Sequence, residues 1–423
     1  VKIVFIGPFG LRPKATMSVR ALLLAQALVA RGHELTMLIP PWDDPERAGQ
    51  SWEDGGVHIV NVALPPRLPL LFHILLTRTL VAQALALKPE VIHCFKPKAY
   101  AGLAHLVLWW LRRLGGFPGL RLVVDADDWE QAWNDLLPYS ASQRKLFTWQ
   151  EKWGLRHADA VTVASRALEK LVIAQGGGDS SRVFYVPNGY HSVIATGDPF
   201  DRLRAGRRPE TGHTFLPPSP VPRPPSPAER AMIRAKWQLG NAPTILLYSR
   251  FAEFRLERIV RLVGEVAAQM LQARWLIVGK GLQGEEKRLE MLLAEADLTE
   301  YVCFTGWLPV EQLPIHFAVA DVAVYPYDDT LMNRTKCSVK LIDLLAAGLA
   351  VVADAVGQNV EYLQNGESGV LTPPADDTAL AAALVALLQE PERRQKLGQA
   401  ARQYLEENFS WSSLAQIVEK AYR

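Results

Sequence analysis

Short apolar runs alternate with helical patterns twice along this chain, once on each side of a proline-rich break. In the first series strands are predicted at Lys2–Ile6, His33–Ile39, Val57–Val62, Val91–Cys94, Leu120–Asp125, Ala160–Ala164 and Arg182–Val186. The first intervening helix spans about Thr16 to Ala30 and is capped by Gly32. The series restarts at Thr244–Tyr248 and continues through Trp275–Val278, Tyr301–Phe304, Val322–Tyr325, Leu349–Ala353 and Val370–Thr372. Strands this short and this apolar must be covered by helices on both faces, which requires a parallel sheet. The expected fold is therefore α/β, with two doubly wound domains. Ligands of such sheets bind beyond the carboxyl ends of the strands, so the two halves are expected to face a central cleft.

Ala205 to Pro227 breaks the alternation with Pro217, Pro218, Pro220, Pro222, Pro224, Pro225 and Pro227. It offers little apolar surface to bury and reads as a linker. The expected organisation is an N-terminal domain over 1–204, a linker over 205–227 and a C-terminal domain over 228–410. The last helix, within 411–423, is expected to pack back on the first domain.

Hydrophobic residues make up 49% of the chain and charged residues 21%, as in globular proteins. A formal net charge of +2 argues against a nucleic-acid partner. Cys94, Cys303 and Cys337 show no metal-ligand spacing and fit a reducing cytoplasm. A strand begins at Lys2, so no signal peptide is expected. Leu68–Leu87 and Ala101–Leu114 are apolar, but charges, Pro69 and short length keep both from being clean spans. Trp109 and Trp110 beside Arg112 and Arg113 leave two readings. One is an interfacial anchor in peripheral contact with a membrane. The other makes Leu103, Leu106, Val107 and Trp110 the core face of an ordinary helix.

The chemistry-bearing stretch is Lys336–Gly369, a polar loop, a helix ending at Ala347-Gly348, and a buried strand. Lys340 and Asp343 are one turn apart on one helical face. A helix start offers N–H groups to an anion, and a carboxylate further along can take a diol such as a ribose. Together they point to a nucleotide sugar. Arg250 and Arg255 follow a strand and can neutralise a departing diphosphate. The loop Gly7–Gly10 is not a G-x-G-x-x-G fingerprint. The second strand runs into Pro40-Pro41-Trp42 with no acid, which speaks against a dinucleotide. Lys14 and Arg20 add charge near the first helix start, or are plain solvated charges.

In their order these pieces resemble the GT-B glycosyltransferases, and among them the retaining group called glycosyltransferase family 4. The family pattern E-x7-E-A-x-A-x-G-x-P-V-V-A places its second acid at Asp343, and Lys340 matches a frequent variant. Thr335 stands where the first acid belongs. The family's G-R-L-x-x-x-K-G falls on Ser249 to Arg255, with Arg250 kept and Arg255 in the lysine's place. Gly279-Lys280-Gly281 matches a G-x-G turn, and Phe304–Pro309 a segment that meets the base. Ala158–Ser165 and Val186–Gly189 match further landmarks.

The resemblance implies two Rossmann-like domains and transfer of a sugar from a nucleotide diphosphate donor to an acceptor hydroxyl. Retention is implied, by front-face attack in which the leaving phosphate helps take the proton. The acceptor would be a glycan, a lipid-linked molecule or a small molecule. No cofactor and no essential metal are implied. Donor binding would fall to Gly10, Gly279, Trp307, Leu308, Thr335, Lys336, Cys337, Lys340 and Asp343. Arg250, Arg255 and Asp127 would be catalytic. His93, Lys96 and Lys98 would lie on the acceptor side. Several alternatives stand beside these roles. Trp307 stacks on the base or covers the core. His93 faces the acceptor or is a satisfied core histidine. Lys96 and Lys98 attract an anionic acceptor or are plain loop charges. Asp125-Ala126-Asp127 is a D-x-D metal motif of the GT-A kind, or Asp127 takes the place of a family histidine, or these acids favour a helix start. Two other functions remain open, a nucleotide-sugar epimerase on this fold and a non-catalytic binding module.

Overall fold

The computed structural model describes residues 1–11, 16–68, 71–136, 139–176, 179–190 and 225–423. Lys14 and positions 205–224 of the expected linker lie outside the described residues. Pro227 does not belong to a linker, because it is the first residue of a helix, Pro227–Lys236. The Ser226 side chain accepts from the Glu229 N–H, and the Glu229 carboxylate accepts from the Ser226 N–H. This reciprocal cap satisfies two N–H groups that a helix start leaves open.

Contacts divide the chain into two units. The first comprises Val1–Gly189, Arg334–Cys337 and Phe409–Arg423, and the second Tyr190–Asn333 and Ser338–Asn408. The expected boundaries differ here. Ser165 Oγ donates to the Thr335 carbonyl at 2.7 Å, and Asn188 Nδ2 to the Cys337 carbonyl at 2.8 Å. These bonds place 334–337 with the first unit. The helix Trp411–Ala421 packs on the helix Leu22–Ala30 of that unit. Arg31 grips Glu419 there with two nitrogens, at 2.6 and 2.9 Å.

The first unit carries β1 (Lys2–Ile6), β2 (Glu34–Ile39), β3 (Ser51–Asp54), β4 (Val57–Asn61), β5 (Val91–Phe95), β6 (Arg121–Ala126), β7 (Ala160–Val163) and β8 (Val183–Tyr185). The sheet order is β3-β4-β2-β1-β5-β6-β7-β8. Every pairing is parallel except β3 with β4. β3 is absent from the sequence reading because its residues, Ser51-Trp52-Glu53-Asp54, show no apolar run. Its signal is the turn. Gly55 and Gly56 have φ of 57° and 79°, the left-handed pair that a tight hairpin needs.

The second unit carries β9 (Thr244–Tyr248), β10 (Arg274–Val278), β11 (Val302–Gly306), β12 (Val322–Tyr325), β13 (Val351–Asp354) and β14 (Val370–Thr372). They pair in parallel in the order β11-β10-β9-β12-β13-β14. The helix Leu256–Gln269 buries Ile259, Leu262, Val263 and Val266, the 3.6-residue stripe that covers such a sheet. Strand order reverses between β9 and β12. That is where an open parallel sheet leaves room for a ligand at its carboxyl end.

Candidate active site

The loops after β9 and β12 form the switch point of the second unit. They are laced together. The Asp328 N–H donates to the Glu253 carbonyl at 2.9 Å, and the Arg255 N–H to Asp328 Oδ2 at 2.9 Å. Asn333 Nδ2 donates to the carbonyls of Glu253 and Asp328, at 2.6 and 2.8 Å. Ser249, Glu253, Tyr325, Pro326 and Tyr327 line a narrow crevice between the two strand ends. Phe251 has φ of 62°, a left-handed turn that its N–H steadies by donating to Ser249 Oγ at 2.8 Å. Such strain costs about 1–3 kcal/mol and persists only where the surroundings enforce it.

The rigid loop presents Arg250 and Arg255. Arg250 is exposed and makes no hydrogen bond or ion pair among the described residues. The Arg255 side chain is 80% exposed, with Asp328 Oδ2 3.7 Å from its Nε. Arg258, one turn further, is only 2% exposed. Its terminal nitrogens clamp Asp354 at 2.9 and 2.8 Å, and its Nε meets Asp377 at 2.5 Å. Arg258 therefore holds the sheet together, and the two exposed arginines remain for an anion.

The helix Val339–Ala346 lies beside this loop. Lys340 Nζ sits 5.8 Å over the ring of Tyr248, the last residue of β9. The Tyr248 hydroxyl also feels the charges of Asp343 and Arg250. One ring thus marks a neighbourhood shared by all three charged residues. Burial pushes the Asp343 carboxyl up to about 7, and Lys340 opposes the rise. Ser338 precedes this helix without capping it, because its hydroxyl is bonded to the Tyr325 hydroxyl. Gly348, with φ of 74°, closes the helix as its position predicts.

Gly279 and Trp307 extend the same edge across β10 and β11. Adjacent strands lie about 4.8 Å apart, so the loops after β9, β10 and β11 are within about 10 Å of one another. The Ser249 N–H donates to the Val278 carbonyl and the Gly279 N–H to the Gly306 carbonyl, at 3.0 and 2.9 Å. Gly279 has φ of 131°, and a Cβ there would lie 1.9 Å from the Ser249 carbonyl oxygen. The residue must be glycine for the Arg250 loop to pass. Trp307 is 62% exposed at the end of β11, so it does not cover the core. Leu308 beside it is half-buried.

The first unit holds the remaining candidates. Arg20 is fully buried, so it is not a solvated charge. Its guanidinium forks onto Asp125 at 2.8 and 2.7 Å and also donates to Asn188 Oδ1 and the Val186 carbonyl. Thr162 Oγ1 donates to Asp125 at 2.6 Å. His93 lies between Thr162 Oγ1 and the Tyr422 hydroxyl, at 3.2 and 2.9 Å. Burial lowers the His93 imidazole to about 4, so it is neutral. His93 occupies the place of a satisfied core histidine, and its ring does not reach the surface. Against its burial, Arg20 holds the Asp125 carboxyl below the usual range. Both Asp125 oxygens accept hydrogen bonds within the first unit.

Lys96 Nζ meets Glu130 Oε1 at 2.7 Å and Asp127 Oδ1 at 2.8 Å. Lys98 Nζ meets Glu130 Oε2 at 3.0 Å and Asn134 Oδ1 at 2.7 Å. Both lysines are buried and neutralised by carboxylates, so they do not form a cationic patch for an anionic acceptor. Asp127 is buried too, and burial raises its carboxyl against the pull of Lys96. Gly10 is buried beyond β1. Thr335 and Cys337 are buried against the first unit through Ser165 and Asn188. Lys336 lies 5.7 Å from the Trp133 ring of that unit. The sequence-predicted donor residues are thus divided between the two units.

Residues 15–189 match the glycosyl transferase 4-like domain family, and residues 242–390 the glycosyl transferases group 1 family. The chain belongs to the GT-B glycosyltransferases. A GDP-mannose-dependent alpha-(1-6)-phosphatidylinositol monomannoside mannosyltransferase of Mycolicibacterium smegmatis is 24% identical over 388 residues, 90% of this chain and 88% of its own length. A glycogen synthase of Mycobacterium tuberculosis is 25% identical over 273 residues, 64% of this chain and 56% of its own. Among solved structures, sucrose-phosphate synthase from Thermosynechococcus elongatus aligns over 100% of this chain and 98% of its own, with a TM-score of 0.67 at 21% identity. The catalytic domain of starch synthase IV from Arabidopsis thaliana, solved with ADP and acarbose, covers 100% and 98% with a TM-score of 0.71 at 13% identity. At these identities the structures share the fold with this chain.

In this glycosyltransferase, sequence reasoning missed Tyr248, Glu253 and Asp328. Glu253 Oε2 accepts from Ser249 Oγ and from the Ala252 N–H, both at 3.1 Å, and so shapes the arginine loop from beneath. Asp328 ties that loop to the one after β12. Its signal was the acidic pair Asp328-Asp329 directly after the strand end Tyr325-Pro326-Tyr327.

Proposed function

We propose that this glycosyltransferase moves a sugar from a nucleoside diphosphate donor to an acceptor hydroxyl, with retention and without an essential metal. The observation that carries the reading is the pair Arg250 and Arg255, exposed at the switch point of the second sheet beside Lys340 and Asp343. Ionic groups that terminate a parallel strand and have little protein charge to neutralise are suited to a diphosphate. In this reading Arg250, Arg255 and Lys340 meet the phosphates, Asp343 the ribose hydroxyls, and Trp307 the base. The bond from the anomeric carbon to the β-phosphate oxygen breaks as the acceptor oxygen adds to the same face of that carbon. The acceptor proton passes to the departing diphosphate, whose growing charge the arginines stabilise.

Asp127 on the first unit is the alternative to the diphosphate as acceptor of that proton, since burial raises its carboxyl. The acceptor is a glycan, a lipid-linked molecule or a small molecule. The reading includes a cytoplasmic site of action with the N-terminal unit in peripheral contact with a membrane. The relative that spans most of this chain is named for GDP-mannose, so that donor heads the panel to be tried. Purified chain is incubated with GDP-, UDP- and ADP-sugars, and release of the nucleoside diphosphate is measured. Slow hydrolysis or transfer with one donor supports the reading. An isomerised donor sugar would make the chain an epimerase, and binding without turnover a recognition module.

A further inference from the structure

Tyr248 ends β9, and alternation along a strand sets the face that each side chain takes. Ile245 and Leu247 join the core with Ile259, Leu262 and Val266 of the helix Leu256–Gln269. Tyr248 takes the opposite face. There its ring packs against Phe317, with centroids 5.2 Å apart, and Lys340 Nζ stands 5.8 Å over it. The ladder between β9 and β12 stops at Leu247 and Val324, one residue before Tyr248. The strands part at that point, and Tyr248 lines the crevice that opens.

Three tyrosines line this crevice, Tyr248, Tyr325 and Tyr327. Two of them satisfy each other. The Tyr325 and Tyr327 hydroxyls are 3.2 Å apart, and Tyr325 also bonds the Ser338 hydroxyl. The Tyr248 hydroxyl makes no hydrogen bond among the described residues. A tyrosine that buries its ring ordinarily finds a partner for its hydroxyl, in protein, water or ligand. Tyr248 is half-buried, so its ring is fixed while part of its surface stays open to the crevice. Burial and the charge of Asp343 push the phenol up, and Arg250 opposes them. The proton therefore stays on the oxygen, and the group is a donor.

We propose that the Tyr248 hydroxyl donates to a ribose hydroxyl of the donor nucleotide, a role that rests on the diphosphate reading of the same sheet edge. Asp343 acts on the phenol more strongly than Arg250 does, which puts the hydroxyl on the ribose side of the site and not among the phosphates. A ribose hydroxyl that donates to Asp343 still has lone pairs to offer, and Tyr248 supplies a donor for one of them. Carboxylate and phenol then hold one hydroxyl from two sides. Such a pair makes the site selective. A nucleotide lacking that hydroxyl leaves both protein groups without a partner, and a site built to bond a hydroxyl rejects the analogue without it.

The test is titration of the full chain and of Tyr248→Phe with whichever of GDP, UDP and ADP the parent binds most tightly, and with its 2′-deoxy and 3′-deoxy forms. Tyr248→Phe keeps the ring against Phe317 and removes one oxygen, so it should melt with the parent. It should bind the ribonucleotide about tenfold more weakly. The gap between the ribonucleotide and one deoxy form should narrow by the same factor, which a purely structural role would not produce. Equal weakening for all three forms would place the hydroxyl on the phosphates and overturn the ribose contact. Unchanged affinity would overturn any contact, and a lowered melting temperature would show that the hydroxyl is bonded within the protein. Arg250→Ala separates this outcome from failure of the diphosphate reading. If Arg250→Ala weakens binding and Tyr248→Phe does not, only the Tyr248 contact falls. If Arg250→Ala leaves binding unchanged, or the parent binds none of the three, the diphosphate reading falls and the Tyr248 contact with it.

Discussion

Arg258 clamps Asp354 with both terminal nitrogens, at 2.9 and 2.8 Å, and this leaves Arg255 as the exposed arginine of its helix start. The two residues are one helical turn apart and have opposite fates. Arg258 holds β13 to the helix Leu256–Gln269 from within. Arg255 points outward with Arg250.

That division separates two mutants. Arg250→Ala should lower turnover about a hundredfold or more while leaving the melting temperature unchanged, since removing a donor to developing charge costs about 3 kcal/mol. Arg258→Ala should do the reverse. It strands buried Asp354 without its partner and should cost about 3–5 kcal/mol of stability. Turnover and melting curves on both proteins check this. Near-normal turnover in folded Arg250→Ala would sink the diphosphate assignment.

Asp343 should make both stability and nucleotide binding depend on pH. Its carboxyl is raised from 3.8 to about 7 by burial. Between those values the native state holds a proton that the unfolded chain has released, so stability falls as pH rises across the window. Asp343→Asn should flatten that part of the curve. A ribose diol bonds best to the ionised carboxylate, so nucleotide binding near neutral pH should release a proton. Calorimetry in two buffers of different ionisation enthalpy measures the release, and Asp343→Asn should abolish it. Equal release from both proteins would rule out the ribose contact.

Trp307→Ala should raise the dissociation constant for the nucleoside diphosphate about tenfold, the usual worth of a base stacked on an aromatic ring. Its ring is mostly exposed, so stability should hold. Titration of the free nucleotide is the measurement. An unchanged affinity would move the base elsewhere on the sheet edge.

Activity should survive chelation. Asp125 is held by Arg20 and Thr162, and Asp127 by Lys96. Turnover is measured after EDTA treatment and after adding Mg²⁺ or Mn²⁺. Loss on chelation with recovery on adding metal would contradict this.

The placement of the candidate residues was legible because its signals are local. Gly279 and Arg250 follow strands, Arg255 and Lys340 stand at helix starts, and Asp343 lies one turn after Lys340. β3 was not legible as a strand, because an exposed edge strand needs no apolar run and only Gly55-Gly56 betrays it. Lys96 and Lys98 read as cations for an anionic acceptor or as plain loop charges, yet Glu130 comes to them from 34 and 32 residues away. Helix Ala99–Arg113 shows the same limit. Its pattern has an apolar stripe, but periodicity does not say which side of a helix meets the sheet.

The sequence by itself determined the two parallel α/β units, the order of their strands along the chain and the arginine and acid positions at the strand ends. Those features follow from hydrophobic period, turn residues and motif spacing, which act within a few residues. Only the tertiary structure decided which charged groups are consumed. Arg20, Arg258, Lys96, Lys98 and His93 are buried among partners distant in sequence, whereas Arg250, Arg255 and Trp307 are left exposed. The physical reason is desolvation. A buried charge requires an opposite charge or hydrogen bonds around it, and the fold supplies these by joining segments far apart in the chain.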